Sequence, residues 1–472
     1  MRMLRFLGKA VLVLVPVALV AWFAMEQITQ WQTMKRLEEQ ADAIAAHREA
    51  QRATSNQAAA DTSLAAPPVT PSGTPAATSA TADATKAPAA PAITWTTNWS
   101  GFRGARRDGH YAGPIRTNWS GLQPLWTQPI GRGYASVVAA NGRAFTIEQR
   151  GAQEVAVAYD GLTGRELWTN GWNAVYIHDG GGPGPRATPV VDDGTVFVLG
   201  ATGELRALDA STGALRWRTN ILDRNQDPGI AASPLIVGNT VVTVPGGGDG
   251  KSIVAYDRTS GRIAWSALDD EPSFVSPVRV SLAGVDQIVA VLANRVVGLS
   301  NDRGHLLWES AWPGGSHAAQ PVIIGDNRIF LSSGNVIGGL ALEITRGGDR
   351  LTARELWRTY RMKNNISSSV YHDGFIYGLD LGILACIDAG TGELKWKGGR
   401  YGSGQTLLAS GHLVITAEEG EVVLVRATPD GHQEIGRTTA VEGRTLNHPA
   451  LVDGFLVVRN GAEMAAFDLR VR

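Results

Sequence analysis

Short apolar runs broken by glycine-containing turns recur along most of the chain. "TPVVDDGTVFVLG", "SPLIVGNTVVTVP", "QPVIIGDNRIFLS", "SVYHDGFIYGLD" and "HPALVDGFLVVRN" share one form, an apolar run, a tight turn and a second apolar run. With "SVVAANGRAFTIE", "SPVRVSLAGVDQIVAV" and "TLLASGHLVITAE" there are eight such stretches. Runs this short, rich in Val and Ile and bounded by Gly, Asn and Asp, predict antiparallel strands joined by turns.

Between the hairpins lies an eleven-residue pattern, "AYDGLTGRELW" at 158–168, "ALDASTGALRW" at 207–217, "AYDRTSGRIAW" at 255–265 and "CIDAGTGELKW" at 386–396. "GLSNDRGHLLW" at 298–308 keeps the glycine and tryptophan offsets. Ala341 to Trp357 carries six extra residues, and "VRATPDGHQEI" at 425–435 retains only the glycine. Repetition every 40–50 residues or so predicts a strand, turn, strand, strand, Asp-x-x-Thr-Gly turn and final strand per unit, which is one four-stranded propeller blade. Gly164, Gly213, Gly261, Gly304 and Gly392 supply a turn position with positive φ. Trp168, Trp217, Trp265, Trp308, Trp357 and Trp396 offer flat apolar surface between neighbouring blades. The last unit ends at "AFDLRVR", with Ala466 and Asp468 but no tryptophan. Trp126, in "LQPLWTQPIG" at 122–131, has no motif ahead of it and is expected to complete the eighth blade, closing the ring and removing its open edges. The fold expected is therefore all-β, an eight-bladed β-propeller over residues 122–472 closed by an N-terminal strand.

The N-terminal pattern differs. Arg2, Arg5 and Lys9 precede an uncharged run from Ala10 to Met25, which reads as a transmembrane signal anchor over 1–26 with the rest of the chain across the membrane. Met34, Leu37, Ala41 and Ile44 at helical spacing predict a juxtamembrane helix over 27–52. Residues 53–94 are mostly Ala, Pro, Thr and Ser and are expected to form a disordered linker, spanning roughly 35 Å as a flexible coil and leaving the folded part free to roam. Residues 95–121 form a lead-in segment. These features imply a single-pass protein of the bacterial inner membrane with its C-terminal domain in the periplasm.

Lys+Arg 43 against Asp+Glu 44 leaves no basic field for nucleic acid. The 56 glycines and 14 tryptophans suit many tight turns and aromatic blade contacts.

The Ala-x-Asp-x-x-Thr-Gly-x-x-x-Trp pattern resembles the tryptophan-docking motif of the pyrroloquinoline-quinone-like β-propeller superfamily, which includes quinoprotein alcohol dehydrogenases and the propeller scaffold of the outer-membrane β-barrel assembly machinery. The resemblance covers residues 122–472, and "WSGFRGARRDGHYAG" at 99–113 is similar to a lead-in of some bacterial members. It implies either a non-catalytic scaffold for envelope or outer-membrane proteins, without cofactor, or a dehydrogenase using pyrroloquinoline quinone with calcium. The dehydrogenases of this superfamily carry a disulfide between adjacent cysteines over the cofactor, and this chain has one cysteine, Cys386, at the alanine position of the motif. The scaffold is the expected reading.

A site on the axis would be built where inner strands begin, at Ser136, Thr188, Ser233, Ser276, Gln320, Ser368, Thr406 and His448. This set holds no carboxylate and suits a narrow channel better than calcium. His178, Asp179 and Arg186 in "YIHDGGGPGPRATP", with His448, are candidate funnel and rim contacts. Asp269 to Pro272 reads as solvated loop charge, "PGGGDGKS" at 245–252 as a hairpin, and His317, His372 and His448 as a metal set only if the axis brings them together. No catalytic or metal-binding residue is assigned.

Overall fold

The computed structural model describes residues 25–54, 95–178, 181–222, 229–334, 337–348 and 350–471. Eight antiparallel sheets follow one another in chain order, each with its inner strand next to the axis. Seven are built from consecutive strands. In the eighth, Trp126–Pro129 pairs with Glu463–Asp468, Trp126 standing opposite Ala466. That register repeats within the other blades, where Trp168 faces Ala158, Trp217 faces Ala207, Trp265 faces Ala255 and Trp396 faces Cys386. The N-terminal strand thus takes the place the eighth motif lacks.

Each motif tryptophan reaches the next blade. A Cβ on Gly213 would lie 2.6 Å from the Trp168 ring, one on Gly261 2.6 Å from Trp217, and one on Gly392 2.5 Å from Trp357. The same turns hold positive φ, 73° at Gly213, so glycine is required there twice over. Indole N–H groups cross the seams to carbonyls, Trp126 to Gly161 (3.1 Å), Trp168 to Ala210 (3.1 Å) and Trp217 to Arg258 (2.8 Å). Blade 4 departs from this because blade 5 replaces the tight turn with a long hairpin, Gly338–Gly347 and Arg350–Thr359. Trp308 therefore donates to Gln287 of its own blade at 2.5 Å, and position 298 is glycine because a Cβ there would strike the indole.

The expected transmembrane segment lies almost wholly in residues 1–24, outside the described residues, and so does nearly all of the expected linker, 55–94. Among the described residues no helix is long and apolar enough to cross a membrane. Residues 25–54 form one helix, α1, and it corrects the picture of a ring free to roam. α1 packs along the seam between blades 8 and 1, burying Leu37, Ile44 and Arg48. Gln40 donates to the carbonyls of Ile130 (2.7 Å) and Gly461 (3.0 Å). Gln128 Oε1 receives Arg48 Nη1 (2.6 Å) and Gln51 Nε2 (2.9 Å) and lies 3.0 Å from His47 Nε2. The Arg48 guanidinium sits 5.3 Å above the Tyr159 ring and 3.4 Å from Glu166. The stripe read as helical from the sequence is the face that meets the ring.

Candidate functional site

Inner strands run from one face of the ring, where the blade-to-blade connections and the second-to-third-strand turns lie, to the other, where the Asp-x-x-Thr-Gly turns lie. The two openings of the channel are unlike.

The lead-in segment closes the opening on the Asp-x-x-Thr-Gly side. Trp99 bonds in both directions with Ala139 of blade 1 (2.8 and 2.9 Å), Ser100 accepts from Val191 of blade 2 (2.7 Å), and His110–Tyr111 lies parallel to Gln405–Ala409 of blade 7 as a fifth strand. Between them the chain crosses the axis. Arg107 donates to the carbonyls of Ser233 (3.2 Å), Pro277 (2.9 Å) and Pro234, and Arg103 to that of Ser369 (2.8 Å). These inner-strand carbonyls point where no neighbouring strand can reach them, and arginine brings several donors on one planar group. Burial holds the Arg103 guanidinium down to about 10 and that of Arg107 to about 9. Phe102 goes deepest, its ring edge-on to His448 at 4.8 Å.

From the opposite face the channel is consequently a blind funnel of about 370 Å³ floored by Phe102 and His448. His178, Arg186 and His448, separate in sequence, all line it; Asp179 lies outside the described residues. Arg186 is fixed by the carbonyls of Gly184 (2.6 Å) and Gly182 (3.0 Å), between Tyr176 and Tyr134 at 4.6 and 5.6 Å, and burial lowers its pKa. Burial, with Arg103 nearby, holds His448 well below its usual range, so its imidazole is neutral.

The hydroxyl ring foreseen at the strand starts is present, and its work is mechanical. His448 N donates to Ser136 Oγ (2.8 Å), Ser136 N to Thr188 Oγ1 (2.9 Å), Thr188 N to Ser233 Oγ (2.9 Å) and Ser233 N to Ser276 Oγ (2.8 Å). Gln320, with its amide oriented to satisfy both groups, accepts from Ser276 N (2.8 Å), and Gln320 N donates to Ser368 Oγ (3.1 Å). The side chains of Ser136, Thr188, Ser233, Ser276, Gln320 and Ser368 thus each hook one inner strand to the next. Thr406 Oγ1 and Gln405 Oε1 have no partner among the described residues.

The other candidates are dispersed. Asp270 is paired with Arg295 (2.6 Å) and Asp269 accepts from Gly250 N (2.5 Å), while 245–252 connects Thr240–Thr243 to Ile253–Asp257. His317 lies 3.0 Å from both Ser333 Oγ and the Trp312 carbonyl and does not line the funnel floored by His448, and no group of three metal-ligating side chains occurs among the described residues. Cys386 is buried and its thiol is pushed up to about 12. The described funnel lining contains no carboxylate, so it does not match the negatively charged oxygen set that calcium takes, nor the calcium-assisted quinone site of a dehydrogenase.

The family model described as outer membrane protein assembly factor BamB matches residues 151–398. The chain belongs to this family. Among relatives of the BamB-family ring, the outer membrane protein assembly factor BamB of Burkholderia pseudomallei is 24% identical over 316 residues, covering 64% of this chain and 76% of that one. Tetrathionate hydrolase of Acidithiobacillus ferrooxidans is 26% identical over 243 residues, 51% of this chain, and the match spans only 42% of the hydrolase. The crystal structure of BamB from Moraxella catarrhalis superposes with a TM-score of 0.56 at 16% identity, covering 74% of this chain and 98% of that one. Quinohemoprotein alcohol dehydrogenase from Comamonas testosteroni gives 0.61 at 14% identity, covering 79% and 81%. At these identities the structures share the fold, a pyrroloquinoline-quinone-like propeller, and a shared fold does not by itself fix a function.

Proposed function

We propose that this protein is a membrane-tethered periplasmic propeller serving as a non-catalytic protein-binding scaffold in outer-membrane protein assembly. Membership of the BamB family is the observation that carries the reading. The axis supports it, because the groups that a cofactor enzyme would turn toward a ligand are spent here on joining blades, and the channel is filled from one side by Phe102, Arg103 and Arg107. The uncharged run from Ala10 to Met25 supports the tether, and Arg2, Arg5 and Lys9 before it support a ring on the far side of the inner membrane.

Two measurements test this. Crosslinking in intact cells through the rim loops is expected to capture proteins of the outer-membrane assembly apparatus. Titration of the full chain with pyrroloquinoline quinone and calcium, followed by a dye-linked alcohol assay, is expected to give neither saturable binding nor turnover. Saturable binding with turnover would replace the scaffold by a dehydrogenase with an unusual site.

A further inference from the structure

α1 is attached to the ring in a definite direction. Near its middle, Gln40 bonds to Ile130 and Gly461, in the connection and the turn that edge the funnel face, and the Ala41 methyl would lie 3.9 Å from a Cβ placed on Gly151 of another funnel-side turn. Further on, Arg48 and Gln51 reach Gln128 on the flank of the ring, and Arg48 meets Glu166, just after an Asp-x-x-Thr-Gly turn. The helix therefore climbs the seam from the funnel face toward the plugged face. Its first dozen residues, Met25 to Arg36, precede the first buried position, Leu37, and extend about 18 Å outward past the funnel face at 1.5 Å per residue. Met25, which ends the uncharged run, and Ile28 and Trp31 beyond it are 65%, 55% and 64% exposed on this overhang. Phe274, Tyr360 and Leu381 are exposed in connections and a turn of the funnel face, and Leu215, Ile263 and Leu394 are exposed beside Asp-x-x-Thr-Gly turns of the other, so the direction of α1 alone sets the orientation.

We infer that the funnel face is the surface presented to the lipid bilayer, held at a fixed standoff by docked α1, with Trp31 at the lipid–water boundary and the plugged face turned toward the aqueous compartment. This rests on the membrane tether proposed above. Trp31 stands six residues past the end of the uncharged run, about 9 Å along the helix, where an amphipathic ring favours the headgroup level. The docking makes the orientation definite, since a ring held only by a forty-residue flexible link would show the bilayer all its faces.

The test uses the full chain in phosphatidylcholine vesicles carrying a headgroup-labelled acceptor lipid. The one native cysteine is buried with a raised thiol pKa, so single cysteines can be labelled with a donor at Phe274→Cys or Tyr360→Cys on the funnel face and at Arg165→Cys or Arg303→Cys on the plugged face. Energy transfer is expected to be higher from the two funnel-face sites, which lie nearer the acceptors by roughly one blade height, about 20 Å. With Arg48→Glu and Gln128→Ala combined, the difference between faces is expected to collapse while the melting of the ring stays cooperative. Equal or inverted transfer in the vesicle-bound, otherwise unaltered chain overturns the orientation and leaves the tether standing. Failure of the chain to float with the vesicles overturns both.

Discussion

Glycine at the Asp-x-x-Thr-Gly turn meets two demands, a left-handed backbone and a tryptophan from the preceding blade lying where a side chain would be. Gly213→Ala is expected to lose about 1–2 kcal/mol to the left-handed conformation and about 1–3 kcal/mol to overpacking against Trp168. In denaturant titrations Trp168→Ala should relieve the second part, so the double variant should fall short of the sum of the singles. Glu154, buried at the seam of blades 1 and 2 with one oxygen accepting from Ala201 N (2.9 Å), is pushed up to about 7 by burial. A carboxyl raised from 4.5 favours folding most below pH 4.5, and that contribution is lost as pH rises through about 7. Glu154→Gln is accordingly expected to raise the melting temperature at pH 8 and change it little at pH 5. A variant equally stabilised at both values would show that the carboxyl does not titrate there.

Two elements were differently visible in the sequence. The blades were legible because one eleven-residue pattern recurs, and the eighth because Trp126 has no partner of its own before Ala466. The lead-in was not legible, since "GFRGARRDGH" has no periodicity and its arginines look like surface charge. Arg103 and Arg107 are buried, while Arg106 is exposed, because inner-strand carbonyls near the axis need donors, a demand made by the ring and not by neighbouring residues. His178, Arg186 and His448 could be suspected singly, but only closure brings them around one cavity. The docking of α1 hid in plain view, because Leu37 and Ile44 give a weak apolar stripe while Gln40, Arg48 and Gln51 act through hydrogen bonds. Arg107→Ala is expected to leave carbonyls of blades 3 and 4 unsatisfied, costing about 1–3 kcal/mol each if water cannot enter. Hydrogen exchange should then quicken in the inner strands Leu235–Val237 and Val278–Leu282 and remain slow in blade 7.

At the scale of the whole molecule, the pairing of Trp126–Pro129 with Glu463–Asp468 makes eight sheets one object. Thr127 stands opposite Ala465, within the Cα separation a disulfide tolerates. Thr127→Cys with Ala465→Cys is expected to crosslink on mild oxidation without a reduced fold and to raise the melting temperature. Failure to crosslink would mean that the two segments are not partners. The same pairing sets an order on biosynthesis. Residue 126 emerges early and must wait, unpaired along that edge, until residue 468 has been made, so each shorter nascent form carries two raw strand edges able to join another copy. Production of this protein should thus be most vulnerable to aggregation late in elongation, and a helper that shields strand edges at that moment should raise its yield more than one that assists the early blades.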